Sequence, residues 1–108
     1  MKLPEPGSAI VEEAKPRGYL LNASHPGNGD KAALFQAFGF QAAQWEEMRD
    51  ALRKHPTEND VDRTAQNPHG IKFEAKCNLR TPDGRAPCLT TIWTIERGRP
   101  PRLVTAHG

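Results

Sequence analysis

The chain has 108 residues, 36 % of them apolar, and a mean hydropathy of −0.73, which allows one domain with a thin core. Its net charge of +2 is concentrated late: residues 69–108 hold seven basic and three acidic side chains, a third that would attract polyanions. No apolar run approaches the ~20 residues of a membrane span, and the opening "MKLPEPGSAIVEEAK" lacks the apolar middle of a signal peptide, so the expected location is cytoplasmic.

Residues 1–7 read as a flexible lead-in and residues 8–55 as a helical part. Within it, Pro16 and Gly18 break any long helix, while Tyr19, Leu20 and Leu21 call for burial, so residues 8–22 read as a short strand or helical turn. Asp30 suits an N-cap. Leu34, Phe35 and Phe38 share one helical face, and Gly39 is placed to end that helix in a left-handed conformation. A second helix is expected from about Gln41 to His55, with Trp45, Met48 and Leu52 as its apolar stripe. Glu46 and Glu47 at its start and Arg53, Lys54 and His55 at its end agree with the helix dipole. Pro56 is expected to stop it, and the polar, patternless residues 56–69 read as a loop.

Residues 70–108 read as antiparallel sheet. Ile71, Phe73, Ala75, Cys77 and Leu79 alternate with Lys72, Glu74, Lys76 and Asn78. "TPDGR" (81–85) has proline for the second position of a type I turn and Gly84 for the left-handed position after it. That turn sets Phe73 opposite Trp93, Ala75 opposite Thr91, Cys77 opposite Leu89 and Ile71 opposite Ile95, all on one face. "RGRPP" then leads to a third strand, "RLVTA". The expected architecture is α+β, one domain over 1–108, with N-terminal helices packed on one face of an antiparallel sheet of three to four strands. In this register Cys77 and Cys88 point to opposite faces, which predicts free thiols and neither a disulfide nor a shared metal. No metal site and no cofactor is expected, since CxxC, P-loop, GxSxG and dinucleotide signatures are missing.

The chemically suggestive stretch is "SHPGNGDKAALFQAFGF" (24–40), where His25 and Lys31 flank a glycine-rich turn. Metal-free RNA cleavage needs a group to take the 2′-hydroxyl proton, one to protonate the leaving 5′-oxygen, and cations to hold the phosphate. Histidine serves either proton transfer near neutral pH, and lysine supplies charge. Thr91 or Thr105 could orient the phosphate and Trp93 could stack a base. Each residue also has a plainer reading: His25 as a surface loop residue, the threonines as strand formers, Trp93 as core.

The segments "YLLNASHPGNGDKAALFQAFGF" (19–40) and "TIWTIERGRPPRLVTAHG" (91–108) resemble a family of small bacterial domains. Their pattern runs Leu-Asn-x-x-His-Pro-x-Gly, Lys-Ala-x-x-Phe, Ser/Thr-x-Trp and Pro-Arg-Leu-Val-Thr. More distantly, the arrangement is similar to the barnase–EndoU–colicin–RelE ribonuclease toxins, colicin D in particular. Lys31 follows His25 here, whereas in colicin D the lysine comes first, and Thr91 stands where serine is usual. The resemblance implies an endoribonuclease toxin acting on RNA, tRNA included, neutralised by a small antitoxin or immunity protein. His25 would be the acid/base, Lys31 the phosphate clamp, Thr91 and Thr105 phosphate ligands and Trp93 a wall of the site. Lys72, Lys76 and Arg102 are the candidate RNA-binding cations. The alternative is a non-enzymatic module that binds an acidic protein or nucleic acid through a basic sheet face.

Overall fold

In the computed structural model, which describes residues 1–16, 20–21 and 29–107, two helices pack against a four-stranded antiparallel sheet. Helix α1 spans Gly29–Ala37 and α2 spans Trp45–Glu58, led in by a 3-10 turn at Ala42–Gln44. Strands β1 (Val61–Asn67), β2 (Gly70–Asn78), β3 (Cys88–Glu96) and β4 (Arg102–His107) lie in the order β1-β2-β3-β4.

Helix α1 begins at Gly29, so Asp30 sits in its first turn and not at the cap. Its end follows the expectation for Gly39, which has φ +101°. The Gly39 N–H donates to the Gln36 carbonyl and the Phe40 N–H to the Phe35 carbonyl, while the Phe35 and Phe40 rings meet edge-on at 6.4 Å. This is a Schellman closure with its apolar contact. Helix α2 buries Met48, Leu52, His55 and Pro56. Pro56 does not stop it. The helix runs on to Glu58, and the Asn59 N–H and Nδ2 then close it on the His55 carbonyl.

Residues 56–69, expected as a loop, supply the last turn of α2, strand β1 and the turn to β2. Strand β1 is an edge strand exposed on both faces from Asp62 to Gln66, so it carries no apolar alternation to betray it. The lead-in is also tied down. Leu3 is buried, and the Met1 carbonyl accepts from the Val61 N–H. Within the supposed helical part, Ile10 instead forms a parallel bridge to β4, exchanging backbone hydrogen bonds with Pro101 and Leu103.

The β2–β3 register is the expected one: Ile71↔Ile95, Phe73↔Trp93, Ala75↔Thr91 and Cys77↔Leu89. The expectation for the cysteines fails within it, because Cys77 and Cys88 form a disulfide. Strict alternation assumes ordinary extended backbone at every position. Cys77 instead has φ +152°, which L-residues rarely adopt, and this turns its side chain out of the alternation. The core joins Leu3, Leu20, Leu21, Phe35, Phe40, Met48, Leu52, Phe73, Leu89, Trp93 and Leu103 between the helices and one face of the sheet.

Candidate functional site

The sheet has two unlike faces. On the core face, Thr91 and Trp93 are both fully buried. The Trp93 Nε1–H donates to Thr91 Oγ1 at 2.8 Å, and Thr91 Oγ1 lies 2.8 Å from His55 Nδ1. His55 Nε2 lies 2.6 Å from the Cys77 carbonyl oxygen. A carbonyl can only accept, so Nε2 carries the proton, Nδ1 accepts, and the Thr91 hydroxyl donates to it. Every polar group in this chain of hydrogen bonds is satisfied with His55 neutral. Burial pushes the His55 pKa down, against smaller opposing effects of the Cys77 and Leu89 backbone and of Glu58. Thr91 and Trp93, expected as phosphate ligand and wall of a site, are therefore internal: they hold His55 and meet no solvent.

The opposite face carries Lys72, Lys76, Arg102 and Thr105. Cross-strand pairs Lys76↔Thr90 and Thr90↔His107 make one row across β2, β3 and β4. Glu74, Ile92 and Thr105 form the next row, and Lys72, Thr94 and Arg102 the third. Thr105 reaches this face through a bulge in the β3–β4 ladder between Ile92 and Trp93. An irregularity of one residue reverses the alternation. Leu103 and Ala106, three apart, thus both face the core, while Thr105 and His107 face outward. Lys31 extends from α1 and its Nζ donates to Thr105 Oγ1 at 3.2 Å. Lys31 and Thr105, 74 positions apart, are so brought together. His25 lies outside the described residues, four positions before Gly29 in the sequence.

Lys72, Lys76 and Arg102 are exposed on this same outer face. Lys76 Nζ is 4.0 Å from Asp62, and Arg102 reaches both Glu12 at 3.7 Å and Glu96 at 3.5 Å. These exposed pairs are weak and screened by salt. A groove of about 330 Å³ opens beside Arg102, lined by Ile10, Glu12, Thr94, Glu96, Arg99 and Pro100. Its two guanidinium groups face two carboxylates, so it has no strong preference for an anion. Among the described residues no group of three or more His, Cys, Asp or Glu side chains could hold a metal ion, and no helix is long and apolar enough to cross a membrane.

Two histidines take positions that the sequence does not announce. His55 reads as a charge at a helix end, because nothing local announces that its turn of α2 is buried under the sheet. For His107, only the β3–β4 ladder sets it on the same face as Thr105. Strand alternation across two residues is the available signal, and it needs the bulge to be known.

A small α+β domain with one sheet face packed on the core and exposed cations Lys72, Lys76 and Arg102 on the other is what this geometry defines. The chain belongs to the family described as a domain of unknown function, DUF6883, whose family model matches residues 2–108. No curated protein and no solved structure matches the chain.

Proposed function

We propose that the chain is a metal-independent endoribonuclease of toxin type, restrained by a small antitoxin or immunity protein. The observation that carries this reading is the hydrogen bond from Lys31 to Thr105, each suited on its own chemistry to the same phosphate. An ammonium and a hydroxyl 3.2 Å apart can hold two oxygens of one phosphodiester. The 2′-oxygen of the RNA attacks phosphorus and surrenders its proton, and the bond to the 5′-oxygen breaks. The products are a 2′,3′-cyclic phosphate and a 5′-hydroxyl. His25 carries one of the two proton transfers, and Lys31 stabilises the charge that builds on phosphorus oxygens. Thr91 and Trp93 act only through the packing of the sheet.

The test is incubation of the purified protein with total RNA and with tRNA, with and without EDTA. Cleavage that survives EDTA and leaves cyclic phosphate ends is expected. His25→Ala should abolish it with the fold intact, and Lys31→Ala should lower the rate by about 10²–10³-fold. Expression should be toxic to a bacterial host and His25→Ala should relieve that toxicity. RNA left intact across a range of pH would remove the enzyme reading. The second reading, a binding module without catalysis, is favoured by the exposure of Lys72, Lys76 and Arg102 on one face. Tight binding of an acidic protein without RNA cleavage would establish it.

A further inference from the structure

We propose that strand β1 is a pairing edge, joined antiparallel by β1 of a second copy of this chain so that the two sheets run on as one. The inference is independent of the ribonuclease reading. In the order β1-β2-β3-β4 the outer strands differ. Along β4, Ile10 supplies a parallel bridge and its carbonyl takes the Leu103 N–H. Along β1, among the described residues, the one backbone bond on the side away from β2 runs from the Val61 N–H to the Met1 carbonyl. That bond fixes the orientation of the rest. Val61 is turned away from β2, and its ladder partner Ala75 is in step with Phe73 and Ile71, the partners of Thr64 and Gln66. Residues opposed in an antiparallel ladder turn their backbone groups the same way, toward each other or apart. The N–H and C=O of Thr64 and Gln66 therefore point outward, within the exposed stretch Asp62–Gln66. Such a row is a template for a further strand.

A second copy fits this edge in one register. The ladder irregularity between Val61 and Arg63 closes one end of the outward row, and Pro68, which has no N–H, closes the other. Between them stand Thr64 and Gln66, with Ala65 at the centre. A two-fold axis at Ala65 sets Thr64 opposite Gln66 of the second copy, and the reverse, so that every outward group of these residues is bonded. An axis at Thr64 would drive Gln66 onto the irregularity, and an axis at Gln66 would drive Thr64 onto Pro68. In the Ala65 register Arg63 meets Asn67 of the second copy and Ala65 meets itself, so neither like charges nor bulky side chains are opposed. The helices leave room, since α2 packs on β2 and β3 while β1 is exposed on both faces from Asp62 to Gln66. The pairing rests on backbone bonds and buries little apolar surface, so it is weak and depends on concentration.

The experiment compares Ala65→Cys, whose thiol lies at the two-fold axis, with Arg63→Cys, an exposed neighbour on the same strand. Cys77 and Cys88 are already paired with each other. Each variant is checked for fold by circular dichroism, oxidised mildly at rising protein concentration and read on a non-reducing gel. Directly opposed Cβ atoms are about 4.5–5.5 Å apart, whereas the Arg63 side chains of the two copies are offset along the strands. Ala65→Cys should form covalent dimer about tenfold faster than Arg63→Cys, or more. Adding Gln66→Pro should remove that advantage, because it deletes an outward N–H and no bond to β2. Thr64→Pro deletes the other outward N–H and serves where Gln66→Pro does not fold. Sedimentation of the unsubstituted chain should show an average mass that rises with concentration, and Gln66→Pro alone should stay monomeric. Equal cross-linking of the two cysteine variants, a chain monomeric at every concentration, or a dimer indifferent to both proline substitutions overturns the inference. So does a monomer whose Thr64 and Gln66 amides gain hydrogen-exchange protection only when an acidic protein is added, which assigns the edge to that partner.

Discussion

Thr91 Oγ1 serves two partners at once, accepting from Trp93 Nε1 and donating to His55 Nδ1. Thr91→Val keeps the volume and leaves a buried indole N–H and an imidazole nitrogen unpaired. It should cost roughly 1–3 kcal/mol, read as a lower denaturant midpoint at unchanged slope. The neutral state of His55 also sets a pH dependence. Its folded pKa is lowered by burial, so on acidification the unfolded chain takes up a proton before the folded one does. Its contribution is complete above the ordinary histidine value of 6.5 and is lost as pH falls toward the lowered one. Stability should decline below that point by at most about 1.4 kcal/mol per pH unit. Stability independent of pH between 7 and 5 would contradict the neutral His55. Carboxylates act in a separate, more acid window. Hydrogen bonding to Arg80 lowers the Glu58 pKa, and the Thr81 hydroxyl, ahead of the Arg85 N–H, holds Asp83 at about 2. Their contributions are complete above the ordinary carboxylate range and are lost as pH falls from there toward the lowered values.

Helix ends and strand turns are where single backbone requirements decide an element. Gly39, at φ +101°, lies so that a Cβ would come 2.9 Å from the Pro82 Cβ. The loop bearing Pro82 is docked there by the Asp83 N–H on the Phe38 carbonyl and by the Arg85 guanidinium on the Ala37 carbonyl and over the Phe38 ring. Gly70, at φ +159°, is tighter still, since a Cβ would meet the Ile95 carbonyl oxygen at 2.2 Å. That neighbour is β3 backbone and cannot step aside. Gly70→Ala should therefore destabilise more than Gly39→Ala, with about 1–3 kcal/mol expected from backbone strain alone at Gly39. Thermal melting of the two variants orders them, and the reverse order would contradict this packing. The disulfide between Cys77 and Cys88 closes the β2–β3 loop, with a sequence separation of 11. Reduction should lower stability by up to about 3 kcal/mol on loop-closure grounds, and mass spectrometry of a non-reduced digest should recover the linked peptides.

At the scale of the whole molecule, the two sheet faces divide the work: one is filled by helices, the other presents Lys72, Lys76, Arg102, Thr105 and His107. If RNA lies on the open face, replacing Lys72 and Lys76 together by Ala should weaken binding at low salt. It should also flatten the log–log salt dependence by about 0.7 for each phosphate no longer neutralised. An unchanged slope would move the binding surface elsewhere. The α+β class, the Gly39 closure and the β2–β3 register were legible in the amino-acid order alone. Each rests on local rules, namely helical and strand periodicity, a positive φ at glycine, and turn chemistry that agrees with hydrophobic alternation. Strand β1 was not legible, because an edge strand exposed on both faces needs no apolar residues and is held by its backbone bonds to β2. Only the tertiary structure decided which of these residues lie together. The burial of Thr91 and Trp93 depends on α2 lying beneath them. The outward turn of Thr105 and His107 depends on one extra residue in the β4 ladder, and the cysteine pairing depends on the unusual φ of Cys77. A one-residue bulge or one unusual torsion reverses the face on which a side chain emerges, and neither leaves a mark in the order of residue types.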